Sequence, residues 1–198
     1  MATLLLVDLQ NDFCPDGALA IVDGDQAVFF ANRLIPQFEK IIATQDWHPK
    51  NHGSFFTQHP QKKPGDQIQL GGKPQILWVE HCVQNTFGAA FHPHLHLPKR
   101  AFLQKKGQNP NLDSYSAFFE NDQKTETGLH AWLQKEKENK LFVLGLATDY
   151  CVKYTVLDAL HLGYQVSVYQ QGCFGVNLHP EDSKKALQEM QKAGAVLL

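Results

Sequence analysis

Short apolar runs alternate along the chain with longer stretches of helical spacing. Residues 3–9 make the first apolar run, which ends around polar Asp8 and Gln10 and predicts a buried strand. Helix-like spacing follows over 27–38, and a second strand over 40–44 runs into Gln45-Asp46. A weaker strand at 100–104 leads into Lys105, Lys106 and Gly107. A polar helical stretch at 125–137 precedes the clearest buried strand, 140–146, which reads KLFVLGL. Residues 149–162 predict a helix with Val152, Val156, Leu157 and Leu160 on its apolar side. A strand at 164–169, a helix at 180–192 and a short strand at 195–198 complete the pattern. Such alternation predicts an α/β fold, a parallel sheet with helices on both faces.

Between the second and third strands lies an irregular stretch, 47–98, rich in His, Pro, Gly and aromatic residues. A loop region of that length inside a compact domain is usually functional, and its aromatic content argues against disorder. Asp8, Asp46, Lys106 and the turn at 148–151 all fall at carboxyl ends of predicted strands, the edge where open α/β sheets bind ligands.

Composition narrows the classes. The 198 residues, 43% hydrophobic and 19% charged, predict one domain over 1–198. A formal net charge of -2 gives no reason to expect nucleic acid or an anionic membrane as partner. No apolar stretch reaches the ~18 residues of a membrane span. The N-terminal run is too short for a signal peptide and has no basic flank, so the expected location is the cytoplasm. Cys14, Cys82, Cys151 and Cys173 are scattered without a C-x-x-C pair, and are expected to be free thiols. A homo-oligomer stays open.

Asp8, Lys106 and Cys151 each have an ordinary structural reading alone: a loop-starting carboxylate, a solvated lysine, a small packing residue. Together they supply the parts of acyl transfer. Cys151 falls at the predicted first turn of a helix, where the dipole is expected to favour its thiolate. Asp8 can take the thiol proton and deliver it to a leaving amine. Lys106 can hold the two together without an uncompensated buried charge. Backbone N–H groups of Ala147 and Cys151 at the strand-to-helix turn can form an oxyanion hole.

A second cluster starts at Asp46-Trp47-His48 and continues through His52 to His81. Asp-x-His puts two ligand types on one side of an extended segment, and a distant His would leave an open position, as in catalytic metal sites. The His92-x-His94-x-His96 run also alternates, but its prolines read as a surface turn.

Five segments in order resemble the nicotinamidases of the isochorismatase-like cysteine hydrolase superfamily: VDLQNDFC (7–14), TQDWHPKNHGSF (44–55), HCVQNTFGAAF (81–91), KGQNPNLDSYSAFF (106–119) and GLATDYCVKYTVLDAL (145–160). The resemblance implies a six-stranded parallel sheet flanked by helices, with the catalytic set Asp8, Lys106 and Cys151. It implies a cis peptide at Leu146-Ala147 and an oxyanion hole from the amides of Ala147 and Cys151. Asp46, His48 and His81 match the family's metal ligands. His52 stands where members differ in a fourth ligand. Zinc is the first expectation for the divalent ion, with iron and manganese as alternatives. Phe13, Leu19, Trp78 and Tyr115 match walls that hold a pyridine ring. One departure is visible: many relatives carry a proline in the segment that here reads Trp78-Val79-Glu80-His81. The implied activity is hydrolysis of nicotinamide, with pyrazinamide as a second substrate, in NAD salvage. The rivals are a superfamily amidohydrolase acting on a carbamoyl or ureido group, and a non-catalytic binding protein on the same fold.

Overall fold

The computed structural model of the chain describes residues 2–198. Six parallel strands form the main sheet: β1 (Ala2–Val7), β2 (Lys40–Asp46), β5 (Phe102–Lys106), β6 (Lys140–Leu146), β7 (Gln165–Phe174) and β8 (Val196–Leu197). Their spatial order is β5-β2-β1-β6-β7-β8. Period-two alternation explains why the strands are apolar throughout: Leu4 and Leu6 face one layer while Leu5 and Val7 face the other. The first layer is α1 (Gly24–Leu34), which buries Ala27, Val28 and Ala31. The second holds α2 (Leu129–Lys135), α3 (Lys153–His161) and α4 (Asp182–Lys192), through Leu129, Leu133, Val156, Ala159 and Met190. The predicted α/β sheet with helices on both faces is the one observed.

Chain order reverses between β1 and β6, so the loops leaving these two strands diverge to opposite sides and open a crevice. Asp8 follows β1, and the turn carrying Cys151 follows β6. Asp46 and Lys106 close β2 and β5 and are direct partners in register.

The structure corrects several boundaries. Strand β2 continues through Gln45 to Asp46, and β5 reaches Lys106. Strand β7 extends five residues past the predicted end at 169, through Phe174. Helix α2 starts only after Gly128, whose left-handed backbone (φ 100°) ends the preceding loop. The 47–98 stretch is not wholly irregular. It contains an antiparallel hairpin, β3 (Gln67–Leu70) and β4 (Lys73–Ile76), joined by Gly71-Gly72. Those two glycines adopt positive φ, as a tight two-residue hairpin turn requires.

Candidate active site

Lys106 is the hub of the crevice. Its side chain is 1% exposed, and its ammonium lies 2.9 Å from Asp8 Oδ2, 3.1 Å from Asp46 Oδ1 and 3.3 Å from Cys151 Sγ, with Ser114 O at 3.1 Å. Burial alone would strip a lysine of its proton, but Asp46, Asp8 and Cys151 outweigh it and hold the pKa well above the ordinary value. Asp8 is fully buried and has the left-handed backbone of a sharp strand exit (φ 50°). Thr44 fixes it twice, accepting the Asp8 N–H at 3.0 Å and donating its hydroxyl to Oδ1 at 2.5 Å. Burial raises the Asp8 carboxyl against the pull of Lys106.

Cys151 does not sit in the first turn of a regular helix. It lies in a wide π-type turn, Thr148–Val152, and α3 begins only at Lys153. The expected depression of its pKa is not found either. Burial pushes the thiol well up and the Asp8 and Asp46 carboxylates add to this, with Lys106 opposing. Attack by sulfur therefore needs an acceptor for the thiol proton, and Asp8 is in place to take it. The peptide bond Leu146-Ala147 is cis, and Ala147 and Cys151 both open onto the cleft.

Asp46 belongs to two clusters at once. One oxygen meets Lys106, and the other lies 3.0 Å from His48 Nε2 and 3.3 Å from His81 Nε2. His48 Nδ1 is 2.9 Å from Gly107 O and His81 Nδ1 is 2.8 Å from Val79 O. Donating Nδ1–H to those carbonyls leaves each ring, when neutral, an Nε2 lone pair, and both nitrogens face a carboxylate oxygen. Three lone-pair donors converging in a buried site call for a cation between them, with the carbonyls fixing the ring tautomers. The donor set fits a divalent metal ion. Gly107 is required here, because its φ is 66° and a Cβ would lie 2.5 Å from His48 Cε1.

His52 joins a different group, with His48 and Asp113, and is not among Asp46, His48 and His81. Its Nδ1 is engaged by Ser54, 2.7 Å from the hydroxyl. Burial, with His48 beside it, pushes His52 down to about 4. His92, His94 and His96 are not assembled into any metal-competent group among the described residues.

A cleft lies over these clusters. Phe13, Leu19, Trp78 and Tyr115 all line it, together with Asp46, His48, His81 and Cys151. In the segment without that proline, Trp78 still lines the cleft, and its Nε1–H donates to Tyr115 Oη at 3.1 Å. Sequence reasoning missed Tyr150, Val176 and Asp113 in the lining. Tyr150 stands edge-on to Trp78, centroids 4.9 Å apart. Gln10 was missed too: its buried amide accepts the Asp46 N–H and donates to Asp46 O, both at 2.8 Å. A polar residue closing an apolar run was the available signal for Gln10; Val176 had none.

The isochorismatase domain profile matches residues 2–198. The nicotinamidase of Escherichia coli is 56% identical over 98% of this chain and 92% of its own length. The chain belongs to the isochorismatase family, on its nicotinamidase branch. A solved nicotinamidase and pyrazinamidase structure from Acinetobacter baumannii superposes with a TM-score of 0.96 at 42% identity, covering 100% of this chain and 95% of that one. A pyrazinamidase of Pyrococcus horikoshii, solved in complex with zinc, gives 0.80 at 33% identity, covering 100% and 98%. Within the nicotinamidase branch, a cysteine and a carboxylate joined by a buried ammonium can cleave an amide in two half-reactions. Among the described residues no helix is long and apolar enough to cross a membrane.

Proposed function

We propose that this chain, read as one hydrolase domain, converts nicotinamide to nicotinate and ammonia through a thioester on Cys151. The observation that carries the reading is the meeting of Asp8 and Cys151 on one ammonium, Lys106, beneath an aromatic cleft. Phe13, Leu19, Trp78 and Tyr115 hold the flat ring, and the carboxamide points at Sγ. Asp8 takes the thiol proton as sulfur attacks the carbonyl carbon. The amides of Ala147 and Cys151 receive the developing oxyanion. Asp8 returns the proton to the amine as the C–N bond breaks, releasing ammonia. Water then gives its proton to Asp8 and adds to the thioester, and nicotinate leaves as Cys151 regains a proton. Lys106 stays an ammonium throughout and keeps two carboxylates and sulfur in one buried site.

Asp46, His48 and His81 would hold the divalent ion, zinc in the first instance given the zinc-bound relative, with iron or manganese alternatives. Bound there, it supplies a Lewis-acidic point for a ring nitrogen and ordered water. Pyrazinamide, a ring of the same shape, is the expected second substrate, and the physiological setting is NAD salvage in the cytoplasm, where thiols stay reduced.

The test is ammonia release from nicotinamide by purified protein, metal-loaded and after chelation. Release that falls on chelation is expected. No release from metal-loaded protein, with turnover of a carbamoyl amide instead, would reassign the substrate.

A further inference from the structure

Val176 is the one cleft-lining residue contributed by the chain beyond Cys151. It follows β7 and carries no group that the reaction uses, so its contribution is shape. What holds it is unusual for a surface loop. Asp149, 5% exposed, accepts the Val176 N–H on one carboxylate oxygen at 2.9 Å and the Asn177 N–H on the other at 2.7 Å. Charge-assisted bonds of this kind are stronger than ordinary amide pairs. Asn177 in turn accepts the Ser183 N–H at 2.9 Å and donates to Gly175 O at 3.2 Å, tying the loop to the start of α4. At Gly175 a Cβ would fall 2.9 Å from Asp149 Oδ1 and into the Ser183 hydroxyl, so the loop can approach this closely only without a side chain there.

Asp149 lies in the same π-type turn as Cys151, two residues earlier. One buried carboxylate therefore fixes the distance between the nucleophile's turn and an apolar wall of the cleft. Leu19 and Phe13 line the same cleft but come from the segment that follows β1, and the hydrogen bonds of the Asp149 carboxylate go to the Val176 loop. A bulkier ring would have to push the Val176 wall back, and a shift of its backbone means breaking two charge-assisted bonds.

We propose that Val176 is a specificity-determining residue that sets the upper size of the aromatic carboxamide, and that Asp149 is the positioning residue that holds it there. The inference rests on the carboxamide reading above. Its substrate class is the unsubstituted six-membered heteroaromatic carboxamide, with ring-substituted analogues discriminated against.

The experiment compares ammonia release from nicotinamide with release from nicotinamide carrying a methyl group on a ring carbon, using metal-loaded protein. Wild type that fails on nicotinamide itself sinks the parent reading, which is distinguishable from every outcome below. In Val176→Ala the ratio of kcat/KM for the methylated over the parent amide should rise about tenfold or more, the scale of one methyl group in a tight apolar pocket. Asp149→Asn keeps one acceptor and loses the other, so it should move the ratio in the same direction, through KM more than kcat. The double variant should shift the ratio no further than Val176→Ala alone, because both changes act on one wall. A wild-type ratio in Val176→Ala overturns the proposal. So does an Asp149→Asn variant that loses kcat equally on both amides at unchanged KM, which would mean that Asp149 acts on the cysteine turn alone. Should Asp149→Asn fail to fold, Val176→Leu decides beside Val176→Ala: the larger side chain should lower the ratio below wild type, and an unchanged ratio overturns the proposal.

Discussion

At the scale of single residues, the buried charges of the site make opposite demands that can be separated by substitution. Lys106 compensates Asp8 and Asp46 together, so Lys106→Met leaves two carboxylates buried near one another. Breaking a buried pair this way costs about 3–5 kcal/mol, and urea unfolding of metal-free protein should show a midpoint lowered accordingly. Removing the sulfur demands far less of the fold. Cys151→Ala should abolish turnover while metal content stays at the wild-type level, and residual full activity would remove the thioester from the mechanism. Asp8 sets the pH response. Its folded pKa lies above the ordinary aspartate value, because burial outweighs Lys106. On acidification it therefore protonates sooner than a free aspartate, and once protonated it cannot accept the thiol proton. The acid limb of kcat/KM should accordingly fall at a pH above the usual aspartate range. A limb at the ordinary aspartate value would mean that another group is the base.

At the scale of elements, legibility followed burial. β1, β2 and β6 are near-continuous apolar runs with both faces covered, so the sequence pattern admits few other readings. Asp8 and Asp46 stood out because each is a polar residue at the end of such a run, whereas Lys106 closes the weaker, half-exposed β5 and was marked only by its place at a strand end beside Gly107. The extension of β7 was hidden because Gln170 and Gln171 are exposed and polar. The β3–β4 hairpin was readable in principle, as QIQL-GG-KPQI alternates around a glycine pair, but Pro74 and a half-exposed face weaken the signal. What no local pattern shows is the long-range company a residue keeps. Gln75, on that hairpin, donates to Asp113 at 2.7 Å and to the Tyr115 hydroxyl at 2.9 Å, and so props the aromatic wall. Val176 lines the cleft from a loop whose backbone N–H groups are bound by Asp149, 27 residues earlier in the chain. The turn after β5 offers a test at this scale. Gly107→Ala would force a side chain into a positive-φ position and against the His48 ring. It should lower metal affinity, read by competition with a chromophoric chelator, while Asp8 and Cys151 keep their partners.

At the scale of the whole molecule, the metal group and the acyl-transfer cluster are joined through one side chain, Asp46, so metal occupancy and global stability are linked. The ligands come from the end of β2 and the loop before β5, segments far apart in sequence that unfolding would separate. An ion that binds only the folded chain stabilises it by about 2.7 kcal/mol at a hundredfold excess over Kd. For a chain of this size that corresponds to a Tm rise of roughly 5–10 °C. Cys151→Ala should show the full rise, since it leaves all three ligands in place. His48→Ala should show little or none, because the remaining Asp46 and His81 offer two donors. If zinc raised the Tm of His48→Ala as much as that of wild type, the ion would be held elsewhere, and the cluster of Asp46, His48 and His81 would have to be reread as a proton-shared ion pair. A rise confined to proteins with His48 intact ties the cation to the lone pairs that Gly107 and Val79 direct at Asp46.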